Sequence, residues 1–260
     1  LESDFGFDDL EIVFSGGRGY HVHVRRADVL ELDRRARREI VEYVLGEGIE
    51  FDDVVSTRAV SGSAGRTSPA QKRTLPDGGW AGRTRQRLDA FLEELLEMDE
   101  ADALARLREF DGIGEGKATA ARNAAIENRN ELSRGNVDVH PAIYGVARLL
   151  FEEVVQTQSA PIDEPVTTDI NRLIRLPGSL HGGTGLSVKH VDRADVDAFD
   201  PLDDAVPETF LGNEIAVYLR EDVTIELRAE SFRLSEGVRS VPEHVGIFAM
   251  ARGHASKAGE

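Results

Sequence analysis

At 260 residues and 40% hydrophobic composition, the chain is long enough for one large domain or two small ones around a sizeable core. Acidic residues outnumber basic ones by 48 to 31, giving a net charge of −17. That excludes a broad basic face, so any surface that meets phosphate must be local, and with only four lysines it must be built mostly of arginine. The absence of cysteine excludes disulfides and thiolate metal sites, and no apolar run approaches the ~20 residues of a membrane span.

An acidic, lysine-poor surface suits a cytoplasm of molar salt, where carboxylates hold hydration and counter-ions and the Debye length shrinks to ~3 Å. The plainer alternative is an ordinary acidic cytosolic enzyme. No secretory signal is visible, so the chain is assigned to the cytoplasm. It opens Leu1-Glu2-Ser3-Asp4-Phe5-Gly6-Phe7 without a starting Met, which reads as the end of a helix already in progress and marks the chain as a fragment.

In chain order, Leu10 to Phe14 reads as a short apolar strand running into Ser15-Gly16-Gly17-Arg18-Gly19. Tyr20-His21-Val22-His23-Val24 alternates and is rich in aromatic and β-branched residues, which predicts a second strand. Helical spacing then runs from Asp28 to Leu45, with Gly46 as a stop. Residues 61–83 are rich in Ser, Gly, Arg and Pro and read as a loop or linker. Together with the start of the next helix they carry the one notable positive stretch: Arg66, Lys72, Arg73, Arg83, Arg85 and Arg87. A template or triphosphate contact and a solvated linker are both open readings of it.

Residues 84–133 read as a helical insert. Within it, Phe110 to Ala118 resembles the turn of a helix-hairpin-helix motif, whose helix N-terminus can hold a phosphate; a plain helix corner would use the same glycines. Val139 to Val155 is predicted as another helix, Glu214 to Leu219 and Val223 to Leu227 as strands, and Pro242 to Arg252 as a last helix.

Two stretches carry chemistry. In Ser15-Gly16-Gly17-Arg18-Gly19-Tyr20-His21, three glycines in five residues let the backbone approach an anion, beside a hydroxyl, a guanidinium and an imidazole. Such a set suits triphosphate oxygens, although a glycine-rich hairpin with an incidental Arg and His has the same sequence. Its strand-turn-strand setting separates it from a P-loop, which needs a helix after the glycines. The second stretch runs from Asp163 to Gly183. Thr167 or Thr168 is predicted to cap a short helix, with Leu173, Ile174 and Leu176 on its apolar face, Arg172 and Arg175 sharing another face, and Pro177 ending it. His181 follows in a glycine-rich turn. Taken alone, a capped surface helix with solvated arginines explains this stretch as well.

Taken together, the two stretches resemble the archaeo-eukaryotic primase family in its archaeal small-subunit form. Ser15 to His21 matches the family's Ser-Gly-x-Arg-Gly-x-His motif in full, and Ile162 through Arg175-Leu176-Pro177 to Ser179-Leu180-His181-Gly182 is close to its third motif. Val241-Pro242-Glu243-His244 and Phe248 to Gly253 also fit.

The resemblance implies an α/β fold: a primase core with mixed sheets (residues 1–60 and 134–260), a loop over 61–83 and a small helical insert over 84–133. It implies template-directed synthesis of short primers from nucleoside triphosphates on single-stranded DNA, with Mg²⁺ or Mn²⁺ as cofactor and a primase large subunit as heterodimer partner. Carried over by position, Asp163 is a catalytic metal ligand, and Ser15, Arg18, His21, Arg175 and His181 bind the nucleotide. Asn171 and Arg172 are assigned less directly, to support of that surface. The family's other two metal-binding carboxylates come from an Asp-x-Asp strand upstream of the glycine motif. This sequence lacks that pair, so an N-terminally truncated, catalytically incomplete chain is expected, without structural zinc. Two alternatives stand beside this reading. One is the polymerase domain of end-joining ligases, which shares the Ser-Gly-x-x-Gly-x-His pattern. The other is a non-catalytic nucleic-acid-binding module.

Overall fold

The computed structural model describes residues 1–60 and 70–259; Arg66, expected in the basic loop, lies outside them. Backbone contacts gather the chain into two compact units. The first joins Leu1–Gly6 to Asp33–Ile170, and the second joins Phe7–Leu32 to Asn171–Glu260.

The elements begin with α1 (Glu2–Phe5), β1 (Leu10–Phe14), β2 (Tyr20–Val24), α2 (Ala27–Leu30), α3 (Arg34–Leu45) and α4 (Phe51–Val54). A hairpin of β3 (Ser56–Val60) and β4 (Ala70–Thr74) precedes the helices α5 (Gly79–Glu97), α6 (Glu100–Arg108), α7 (Glu115–Glu127), α8 (Arg129–Leu132), α9 (Pro141–Gln158) and α10 (Glu164–Thr168). The remainder holds β5 (Lys189–Val191), α11 (Pro201–Asp204), β6 (Glu214–Leu219), β7 (Val223–Leu227), β8 (Glu230–Leu234), β9 (Gly237–Pro242), α12 (Glu243–Ala251) and β10 (Ala255–Lys257). The class is α/β, as the resemblance implied, and the strand pairings among the described residues are antiparallel.

The first unit is helical because its apolar residues recur at helical spacing on three facing helices. Leu88, Phe91 and Leu95 of α5, Ala118, Ala121 and Ala125 of α7, and Ile143, Val146, Ala147 and Leu150 of α9 are all buried in one core. The alanines of α7 leave no bulk between helices, so its backbone can approach closely. Helix α3 starts later than its spacing predicts: Asp33 accepts a hydrogen bond from Ala36 N at 2.8 Å and caps it there, so the single helix expected over 28–45 is two.

Residues 61–83 do not form one loop. Gln71 to Thr74 run in register with Ser56 to Ala59, Leu75 N donates to Gly135 O at 2.8 Å, and α5 already begins at Gly79. The sequence Ala-Gln-Lys-Arg-Thr has no apolar alternation, and the backbone partners that fix it are distant in the chain.

In the second unit, β1 is flanked by β2 on one edge and β5 on the other. The sheet β10-β6-β9 carries α12, and the core between them is Val217, Leu219, Val241, Val245 and Ala249. Gly246 makes that approach possible: a methyl group there would lie 2.5 Å from Ile215 Cγ2. The β7–β8 hairpin turns at Arg228 and Ala229, both with positive φ (53° and 56°), the handedness a two-residue hairpin turn requires. Among the described residues no helix is long and apolar enough to cross a membrane.

Candidate nucleotide site

Strands β1 and β2 hold the glycine turn by its ends. Phe14 pairs with Tyr20, Val13 with His21, and Ser15 N donates to Gly19 O at 2.9 Å. Gly16 takes φ +78°, which favours glycine. The amides of Gly16, Gly17 and Arg18 have no protein acceptor among the described residues, so the turn presents backbone donors with Ser15 buried at its base and Arg18 exposed at its tip.

The His181 turn seats directly on it. A methyl group on Gly16 would lie 2.5 Å from His181 Cβ, and one on Gly17 would lie 3.3 Å from His181 Nε2. Thr184, which the sequence reading did not single out, is buried between the two turns. Its hydroxyl donates to Gly16 O at 2.6 Å and accepts from Leu186 N at 3.2 Å. Gly183 N donates to His181 Nδ1 at 3.2 Å. That leaves Nδ1 as an acceptor and assigns the proton of the neutral ring to Nε2, the nitrogen beside Gly17. Burial first, and then the charges of Arg175 and Arg252, hold His181 below the usual histidine value of 6.5. The ring is therefore a neutral donor at pH 7, with Nε2 beside the glycine turn.

Arg175 lies on a segment that is not helical. The helix expected around 169–176 lies earlier, as α10. Asp163 precedes its first turn, Pro165 stands in that turn with its φ already set, and the chain turns extended at Asp169. Pro177 bars its predecessor from helix, and Leu173, expected on an apolar face, is 95% exposed. Arg18, Arg175 and Arg252 have no carboxylate partner among the described residues. His21 projects from β2 with its ring 6.1 Å from that of His23.

The expected positive stretch is different. Lys72 pairs with Glu131, Arg73 with Asp138, Arg83 with Asp4, Arg85 with Asp77 and Arg87 with Glu153, at 2.6–2.9 Å. Each of these cations thus faces a carboxylate within the first unit. In the helix-hairpin-helix-like turn, Lys117 Nζ folds back onto Gly112 O at 2.9 Å.

Asp163 is exposed and belongs to the first unit, whereas the other five expected site residues belong to the second. Among the described residues no group of three or more His, Asp or Glu side chains is arranged to hold a metal ion.

A family model described as DNA primase small subunit matches residues 1–192. Three relatives carry the name DNA primase small subunit PriS. That of Natronomonas pharaonis is 76% identical over 260 residues, covering 100% of this chain and 66% of the relative. That of Haloarcula marismortui is 61% identical over 261 residues, covering 100% and 67%. That of Methanothrix thermoacetophila is 39% identical over 265 residues, covering 98% and 67%. The chain thus spans about two thirds of the length of these relatives.

Proposed function

The chain belongs to the DNA primase small subunit family, and from that membership we propose that its two glycine-rich turns hold the triphosphate of an incoming nucleotide in a primase catalytic subunit. The activity is template-directed synthesis of short primers from nucleoside triphosphates on single-stranded DNA, with a primase large subunit as partner. The observation that carries the reading is the seat of His181 on the Ser15–Gly19 turn. It joins an Nε2–H donor, backbone amides without a protein acceptor and arginines without a carboxylate partner among the described residues, a set that suits phosphate oxygens.

Ser15, Arg18, His21, Arg175 and His181 are the nucleotide-binding residues in this reading, and Asp163 offers one carboxylate to Mg²⁺ or Mn²⁺. Such ions take about six oxygens, so phosphates, waters or further carboxylates must supply the rest. The second reading is a module that binds nucleotide without turning it over.

The test is nucleoside triphosphate binding by this chain in high KCl, alongside template-dependent incorporation with Mn²⁺ and the large subunit. A chain carried to the length of its relatives is assayed in parallel. H181A and R175Q are expected to weaken nucleotide use without unfolding the protein, and D163N to abolish metal-dependent synthesis. Normal primer yield from D163N would sink the role of Asp163. Binding without incorporation in any form would leave the module reading.

A further inference from the structure

Resting on the nucleotide-site reading, we propose that Arg252, at the end of α12, is a further phosphate-contacting residue that engages the polyphosphate of a nucleoside triphosphate beside Arg175 and His181. The argument starts at Gly185. It takes φ +71°, and a methyl group there would lie 2.8 Å from Ile247 Cγ2 and 3.6 Å from the Ile247 carbonyl. The His181 turn therefore packs closely on α12 at Gly185, against the side chain and carbonyl of Ile247. Gly185 N donates to His181 O at 2.8 Å, so the histidine is fixed to the residue that touches the helix.

The helix stops one turn later. Arg252 N donates to Phe248 O, Gly253 N to Met250 O and His254 N to Ala249 O, and Gly253 takes φ +82° to reverse the chain into β10. Arg252 thus stands at the carbonyl end of the helix, where a cation is favoured. Its guanidinium lies over the Phe248 ring at 5.3 Å, which limits where it can point.

Its charge reaches His181: with burial and Arg175, it helps keep that ring neutral. Two arginines without carboxylate partners among the described residues, Arg175 and Arg252, thus act on the same imidazole, and the packing of Gly185 on Ile247 sets α12 beside its turn. Two like charges are tolerable there when a multiply charged anion completes the set, and a polyphosphate has both the charge and the spread of oxygens. Arg252 lies outside the span 1–192 that the family model matches.

The experiment measures ATP binding by calorimetry in high KCl with EDTA, and the His181 titration by NMR, for wild type, R252Q, R252K, R175Q and R233Q. Arg233 is exposed on β8 and controls for net charge. R252Q is expected to weaken ATP binding roughly ten- to a hundredfold, the scale of one charge-assisted hydrogen bond, while adenosine is unaffected. R252K should recover part of the loss, R233Q should bind like wild type, and His181 should titrate at higher pH in R252Q. Wild-type ATP affinity in R252Q, with R175Q impaired, would overturn the role of Arg252 and leave the site reading standing. No ATP binding by the wild-type chain would overturn both.

Discussion

The Thr184 hydroxyl donates to the Gly16 carbonyl at 2.6 Å, across 168 residues of sequence, and this bond ties the two glycine-rich turns into one site. The same oxygen accepts from Leu186 N at 3.2 Å. Thr184→Val keeps the shape and leaves two buried backbone groups unsatisfied, so a loss of about 1–3 kcal/mol is expected in urea unfolding. ATP binding should weaken as well, because the seat of His181 loosens, and Thr184→Ser should restore both. A T184V protein with wild-type stability and affinity would remove Thr184 from the argument.

Two glycine-to-alanine changes in helices are expected to have opposite signs. In α12 a methyl on Gly246 would meet Ile215 Cγ2 at 2.5 Å, Val241 Cγ2 at 3.2 Å and Val217 Cγ1 at 3.3 Å. Overpacking of that kind costs about 1–3 kcal/mol and outweighs the helix-propensity gain of up to ~1 kcal/mol. In α9 a methyl on Gly145 meets nothing within 4 Å, so only the propensity gain remains. Thermal unfolding should show G246A below wild type and G145A above it. Matching shifts in the two variants would refute the packing account of α12.

Strands β1 and β2 and helices α9 and α12 were legible in the sequence because their apolar residues repeat at the period of the element. Strand β4 was not, since Lys72 and Arg73 are placed by partners at Glu131 and Asp138, 59 and 65 residues away. The same distance effect disguised the basic stretch: a run of cations looks available until the fold supplies a carboxylate to each described one. The site residues could be named from motif pattern, but nothing in their spacing says that Gly16 and His181 touch. Thr184 did leave a signal, a lone hydroxyl inside the His181-Gly182-Gly183-Thr184-Gly185 turn. Arg252 was legible only as the end of the last helix and as part of the matching Phe248 to Gly253 stretch, because what α12 packs against cannot be read from its sequence.

Salt is expected to stabilise the chain well beyond ordinary screening of single pairs. With a net charge of −17 the folded state concentrates like charge, and that repulsion is relieved as the Debye length falls from ~10 Å at ~0.1 M to ~3 Å at ~1 M. The thermal midpoint should rise steadily with KCl, and full stability at ~0.1 M would contradict the charge argument.

Acid should destabilise the fold in a window set by histidines that burial holds below their ordinary value. Burial, then Arg25 and His21, lower His23, and burial, then Arg228, lower His244; His181 is lowered as described, all from 6.5. Because the unfolded chain then takes up protons more readily than the folded one, stability is complete above 6.5. It falls as pH drops through that value and levels off below the folded values. Asp4 acts lower. Burial pushes Asp4 up, but the bonds from Arg83, Ser3 and Tyr43 outweigh it, so its contribution is lost only beneath its ordinary 3.8. The unfolding midpoint should therefore decline between pH ~7 and ~5, and the double variant H23Q/H244Q should decline less steeply. An unchanged slope in the double variant would assign the acid sensitivity to other groups.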